Sequence, residues 1–214
     1  MKTAWLAGAT GLIGGHLLPL LLERYDRVVA FTRRPLPLHN DKLVVASIDT
    51  LNADGPVDDV YCALGTTIRK AGSEEAFRQV DLELPLRLAS AGLQHGAKRF
   101  LLVSSVGASA QSGTFYLRVK GELEDRLAAL GFEALHIYRP SFLIGNREEQ
   151  RTGESAGIVL AKAIAFALVG PLRNYRAIEA ETVAKAMVNA SGTGRRVYHY
   201  DDIRAQATSS VASA

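Results

Sequence analysis

Trp5–Glu23 reads "WLAGATGLIGGHLLPLLLE", preceded by Met1, Lys2 and Thr3. One basic residue ahead of a long apolar run resembles a secretory signal, but a signal needs its apolar core before a small-residue cleavage site. Here Ala7-Gly8-Ala9 comes first and most of the leucines follow it. A membrane helix fits poorly too, because His16 and Pro19 interrupt the run and Glu23-Arg24 closes it. The remaining reading is a strand, a glycine turn and a helix. "GATGLIGG" places Gly8, Gly11 and Gly14 in that turn. Gly8 permits a tight bend, Gly11 lets backbone approach a pyrophosphate, and Gly14 lets the helix pack against the sheet, while the helix N-terminus offers free N–H groups to phosphate. A glycine triplet alone also fits a plain small-residue turn, so its weight comes from its place in the first strand–turn–helix.

Working outward, short apolar runs alternate with helical patterns. Strands are predicted at 3–8, 27–32, 43–46, 59–64, 99–105 and 134–139, most of them continuously apolar as in a sheet covered on both faces. Helices are predicted over Gly11–Tyr25, with Ile13, Leu17, Leu20 and Leu21 on one face, through "FRQVDLELPLRLASAGLQHG", and through "YLRVKGELEDRLAAL". In the last, Glu122 and Arg126 are spaced to pair, and Gly131 is a C-terminal stop. The alternation predicts an α/β fold with a doubly wound parallel sheet, the Rossmann type. After Arg139 the rhythm breaks: a polar loop "GNREEQRTGES", an apolar helix over 157–169, "ETVAKAMVNA" and a short strand near "RRVYHY". The expectation is one domain over 1–205, with 140–205 contributing a small substrate cap and 206–214 a flexible tail. Pro19 has no explanation at this level, since mid-helix proline costs about 3 kcal/mol.

Composition narrows the function classes. The 214 residues are 48% hydrophobic and 22% charged with a net charge of +3, ordinary for a globular domain. The basic residues are dispersed, which argues against nucleic acid. The apolar helix over 157–169 is too short to span a bilayer and contains Lys162; it is expected to cover the substrate cleft or a subunit contact. A single cysteine, Cys62, excludes an internal disulfide, suits a reducing compartment and leads to a cytoplasmic expectation. Cys62 reads as an inert small hydrophobe, the five histidines are scattered, and no metal site is expected.

Two further groups carry chemistry. The second strand ends in Thr32-Arg33-Arg34, with none of the carboxylate that usually takes the ribose hydroxyls of NAD. Paired guanidiniums suit a 2′-phosphate, so NADP (NADPH) is expected, although arginines capping a strand in solvent would look the same. The fifth strand ends in Ser104-Ser105, and Tyr116 and Lys120 follow at a four-residue spacing that shares one helix face. For the tyrosine to exchange protons at neutral pH, its pKa must fall from about 10 to about 7, roughly 4 kcal/mol of phenolate stabilisation. A nearby ammonium can contribute that, and a serine hydroxyl can hold a substrate oxygen.

The order Gly-x-x-Gly-x-x-Gly, Ser-Ser, Tyr-x-x-x-Lys resembles the short-chain dehydrogenase/reductase superfamily. "VDLELPLRLASAGLQHGAKRFLLVSSVGA" and "YRPSFLIGN" are similar to its extended and atypical branches. "CALGTTIRKAG", "YLRVKGELE" and "RPSFLIGNREEQRTGE" resemble its HIV Tat-interacting-protein-like group, to about Tyr200. The resemblance implies a Rossmann fold and an NADP(H)-dependent oxidoreductase acting on a small carbonyl or alcohol. It places Gly8, Thr10, Gly11, Leu12, Ile13, Gly14, Arg33, Arg34, Leu64 and Gly65 on the cofactor, with Asp49 toward the adenine and Leu143 and Arg151 near cofactor or substrate. Tyr116 would donate or accept the proton, Lys120 would contact the nicotinamide ribose, and Ser105, or else Ser104, would be the third member. The C-terminal region is much smaller than in sugar-nucleotide epimerases, which speaks against a bulky nucleotide sugar. Two other readings use the same residues: an NADPH-binding regulator whose cofactor controls a protein partner, and an isomerase. The resemblance is also compatible with a homodimer.

Overall fold

The computed structural model describes residues 1–145 and 169–209. Its main sheet has seven strands, all parallel: β1 (Thr3–Ala7), β2 (Arg27–Thr32), β3 (Leu43–Ser47), β4 (Asp59–Cys62), β5 (Arg99–Val103), β6 (Ala134–Tyr138) and β9 (Gly194–Tyr198). Their order is β3-β2-β1-β4-β5-β6-β9. The direction of winding therefore reverses between β1 and β4, and the crevice beyond their C-terminal ends is where open α/β sheets bind ligands. A two-stranded ribbon of β7 (Leu143–Ile144) and β8 (Ile178–Glu179) stands apart from this sheet.

The continuous apolar runs of the central strands are explained by a core on each face. On one face α1 (Leu12–Arg24) buries Ile13, Leu17, Leu18 and Leu21 with Val183, Ala184 and Met187 of α6 (Ala180–Val188) and Ile203 of α7 (Tyr200–Thr208). On the other, Trp5, Phe31, Phe100 and Ile137 meet Leu86, Leu88 and Ala89 of α4 (Leu84–Gln94) and Val119, Leu123 and Leu127 of α5 (Phe115–Ala128). Ahead of α4 come two short helices, α2 (Ile68–Ala71) and α3 (Glu74–Arg78), and a π-helical turn at Gln79–Glu83. Pro19 sits inside α1 on its exposed side, as does Gly15, so the carbonyl that proline leaves unpaired faces water.

Several sequence expectations are corrected. Within 140–205, α6 packs on α1 and β9 is a full strand of the main sheet, so those segments build the core rather than cap it. Residues 206–208, expected in the tail, continue α7, which Asp202 caps by accepting from the His199 N–H at 3.0 Å. Glu122 and Arg126 do not pair with each other. Glu122 meets Arg78 at 2.8 Å and Arg126 meets Glu83 at 3.3 Å, because those partners lie on the neighbouring helix of the layer. The polar loop after Gly145, most of the apolar helix expected over 157–169, and Arg151 lie outside the described residues. Gly131 ends the α5 segment with φ +83°, the left-handed conformation expected of a stop.

Candidate functional site

The crevice at the β1–β4 switch point gathers most of the residues singled out. Gly8, at φ +95°, follows β1 so closely against β4 that a Cβ there would lie 2.4 Å from the Ala63 carbonyl oxygen. A Cβ on Gly14 would lie 1.9 Å from the Gly8 oxygen, so the helix can meet the turn only without a side chain. The Gly11 N–H donates to Gly8 O at 2.9 Å, closing the turn. Gly11 is also the N-cap of α1, and no side chain caps that end or puts an acid in its first turn. The N–H groups there and the positive end of a 13-residue helix are left for an anion. Ile13 is buried on the core side, whereas Thr10 is exposed and Leu12 half-buried at the crevice.

The end of β2 reaches this turn. Arg34 donates from Nη2 to Thr10 Oγ1 at 3.2 Å, and its backbone N–H donates to Thr32 Oγ1 at 3.1 Å, fixing the bend. Arg33 is exposed beside it. The structure thus brings a guanidinium onto the glycine loop at the place where a carboxylate would mark a ribose diol. Asp49 is exposed two residues beyond β3, and its carbonyl accepts from Arg87 Nη2 at 2.6 Å. Leu143 pairs with Ile178, and the strand leads to Gly145, where a Cβ would lie 2.7 Å from Leu12 Cδ1. The segment after β6 therefore crosses over the glycine turn.

The second cluster lies where α5 passes β4 and β5. Tyr116 is half-buried, its ring 5.6 Å from that of Phe77. One turn on, Lys120 is almost wholly buried and its Nζ lies 2.8 Å from Asp81 Oδ1, on the π-helical turn. Asp81 Oδ2 accepts from the Thr66 N–H at 2.9 Å. Burial alone would lower the Lys120 pKa; the Asp81 carboxylate, helped by Tyr116, more than offsets this and holds it above the ordinary lysine value. Gly65 runs alongside, a Cβ there falling 3.6 Å from Asp81 Oδ1 and 3.9 Å from Lys120 Nζ. Leu64 packs partly against the core beneath. Burial pushes the Cys62 thiol up to about 11, in keeping with an inert residue.

The two serines part company. Ser104 is buried and donates to Glu124 Oε1 at 2.5 Å, and Arg139 holds the same carboxylate through Nε at 2.9 Å and Nη2 at 2.5 Å. Ser104 thus joins the end of β5 to α5 through this carboxylate. Ser105, one residue on, is half-buried and, among the described residues, donates to the Val106 carbonyl at 3.3 Å. Asp81 and Glu124 are the residues sequence reading missed. Each lies among other charged residues, Asp81 between Arg78 and Glu83 and Glu124 between Glu122 and Asp125, so the sequence carried no signal that singled it out. Among the described residues no cluster has the makings of a metal site, and no helix is long and apolar enough to cross a membrane.

Comparison with known proteins agrees with this geometry. The model of the NAD dependent epimerase/dehydratase family matches residues 4–206. The mitochondrial fmp52 protein of Aspergillus clavatus is 37% identical over 204 residues, covering 89% of this chain and 87% of that protein. Protein HTATIP2 of Rattus norvegicus is 34% identical over 199 residues, covering 88% of this chain and 80% of that protein. Among solved structures, the human epimerase family protein SDR39U1 with NADPH superposes with TM-score 0.63 at 17% identity, over 92% of this chain and 74% of that one. MoeE5 with UDP-glucose and NAD gives TM-score 0.66 at 19% identity, over 92% and 75%. At such identities these structures establish the Rossmann-type fold alone. The cytoplasmic expectation is overturned by the fungal relatives, which are named as mitochondrial proteins. A lone buried thiol is compatible with a reducing compartment and does not say which one.

Proposed function

For a chain that belongs to the NAD dependent epimerase/dehydratase family, we propose the function of an NADP(H)-dependent oxidoreductase acting on a small carbonyl or alcohol. The observation that carries the cofactor choice is Arg34, anchored on Thr10 of the glycine loop at the end of a β2 strand that offers no carboxylate. A guanidinium there suits a 2′-phosphate by forked, charge-assisted hydrogen bonds, with Arg33 adding a second positive charge. The fit to a dinucleotide rests on the tight turn that Gly8 and Gly14 permit by carrying no side chain and on the uncapped α1 N-terminus. Gly8, Thr10, Gly11 and Leu12 would hold the pyrophosphate side, Ile13 and Gly14 would seat the helix behind it, and Leu64 and Gly65 would flank the cofactor beyond β4. Asp49 would face the adenine end, and Leu143 and Arg151 would lie near the cofactor or substrate.

When bound, the nicotinamide would supply or accept hydride. The chain's own part is to hold the substrate oxygen and move a proton. Ser105, whose hydroxyl makes a long bond to Val106 O, would donate to that oxygen. Tyr116 would give or take its proton, with Lys120 on the same helix face contacting the ribose.

The test is calorimetric titration with NADPH and NADH. NADPH is expected to bind more tightly. Arg34→Ala should weaken NADPH by about tenfold or more, the size of one charge-assisted hydrogen bond, and leave NADH unchanged. Failure of both nucleotides to bind overturns the proposal.

A further inference from the structure

We propose that Asp81 is a positioning residue of this site, holding the Lys120 ammonium in place and tying it to the Leu64–Thr66 turn. Its role toward a cofactor rests on the oxidoreductase reading above; the contact itself does not.

Both partners are out of water, Asp81 at 0% and Lys120 at 4% side-chain exposure. Acidic and basic side chains are seldom so buried, and apolar residues of similar size would stabilise the junction at least as well. The pair therefore calls for a use other than stability. Asp81 is delivered by the π-helical turn, in which the Leu84 N–H reaches back to Gln79 O and one extra residue enters the helix. Such insertions cost regular hydrogen bonding and concentrate at functional sites. The carboxylate spans two elements, with one oxygen on the Lys120 ammonium and the other on the Thr66 N–H. It thus connects α5 to the turn after β4, and Gly65 lies between with no side chain to screen the pair.

The titratable groups whose charges act on Lys120 are Asp81, Tyr116 on its own helix and Cys62 on β4. The thiol is neutral at physiological pH, its pKa pushed up to about 11. Asp81 is thus the anion beside the ammonium, and without it only Tyr116 and Cys62 remain to oppose the effect of burial on the lysine. A desolvated lysine lacking a counterion gives up its proton. What reaches the site in the intact protein is an oriented Lys–Asp dipole whose positive end is shared with the Tyr116 face, rather than a bare cation.

The experiment is a pH titration of the full-length protein with ¹³C-labelled lysine side chains, followed by NMR, with the Lys120 signal assigned by its loss in Lys120→Met. In the wild type Lys120 should stay charged beyond the ordinary lysine range. In Asp81→Asn its midpoint should fall by about 2 pH units or more, and Asp81→Glu should recover part of the shift. An unchanged midpoint in Asp81→Asn overturns the proposal. If Asp81→Asn does not fold, the double variant Asp81→Leu/Lys120→Met decides. Folding of the double variant, where Asp81→Asn alone fails, supports a mutually dependent pair, and failure of the double variant overturns it. Calorimetry on the same proteins tests the cofactor role. Asp81→Asn should weaken NADPH and NADH by equal factors, unlike Arg34→Ala, and undiminished binding of both overturns that role. If the wild type binds neither nucleotide, the oxidoreductase reading fails while the Lys120 titration still stands or falls by itself.

Discussion

The two ends of the sheet each bury charge, and they do so differently. At the N-terminal edge, Asp59 opens β4 and Arg99 opens β5, and the guanidinium grips the carboxylate with Nε at 2.5 Å and Nη2 at 2.6 Å. The Tyr25 hydroxyl donates to the same carboxylate and lies 2.9 Å from the Tyr61 hydroxyl. Arg99 spends its remaining reach on the Ala190 carbonyl at 3.1 Å. Burial would raise the Asp59 pKa, but Arg99 and Tyr25 hold it below the ordinary value. At the C-terminal edge, Lys120 has one carboxylate partner and sits beside a glycine and the tyrosine of its own face. The first cluster is closed on itself and stitches β4, β5 and the segment after α6. In the second, among the described residues, the ammonium has one carboxylate, which suits the binding role proposed for it. Saturation, rather than burial or charge, separates a stabilising network from a site.

The sharpest way to break this contrast is Asp59→Ala. It removes the carboxylate from a largely buried guanidinium and leaves the Tyr25 hydroxyl only its Tyr61 neighbour, so urea unfolding should show a loss of about 3 kcal/mol. NADPH affinity of the folded fraction should not change; a parallel loss of affinity would mean that the two ends are coupled. Ser104→Ala tests the boundary of the site. Removing a buried hydroxyl that donates to a carboxylate should cost about 1.5–3 kcal/mol of stability and leave NADPH binding intact. Larger damage to binding than to stability would place Ser104 in the site.

The smallest effect concerns His136, buried on β6 with Nδ1 2.8 Å from the Tyr198 hydroxyl. Burial lowers its pKa in the folded protein. The folded state then binds fewer protons than the unfolded one. Its contribution is fully present above the unfolded value of about 6.5 and is lost as pH falls toward the folded value. Urea midpoints compared at pH 7.5 and 5.5 should therefore drop in the wild type and drop less in His136→Phe. The difference should be at most about 1.4 kcal/mol per pH unit.

Much of the fold was legible because the periodicities were clean. Apolar runs such as "RVVAFT" and "RFLLVSS" admit few readings other than strands covered on both faces, and their first residues match those observed. The C-terminal strands were harder. "RRVYHY" is short, half-polar and preceded by a broken rhythm, yet it closes the sheet edge because Gly194–Tyr198 finds the exposed ladder of β6. Adjacent serines are equivalent in a sequence. They diverge because consecutive residues at a strand end point to opposite sides, one toward Glu124 and the other away from it. The intrahelical Glu122–Arg126 pairing failed for a related reason: local spacing permits it, but Arg78 and Glu83 on an adjoining helix offer better partners.

The sequence by itself determined the sheet class, the glycine turn and the positions of Arg34, Tyr116 and Lys120, since each depends on neighbours within a few residues of chain. Only the tertiary structure decided that Lys120 is held by Asp81, that Ser104 belongs to Glu124, and that α6 and β9 complete the core. Those contacts join residues distant along the chain. A buried charge takes whichever partner the packing of separate helices and strands brings within hydrogen-bonding reach, and spacing along a single helix carries no record of that partner.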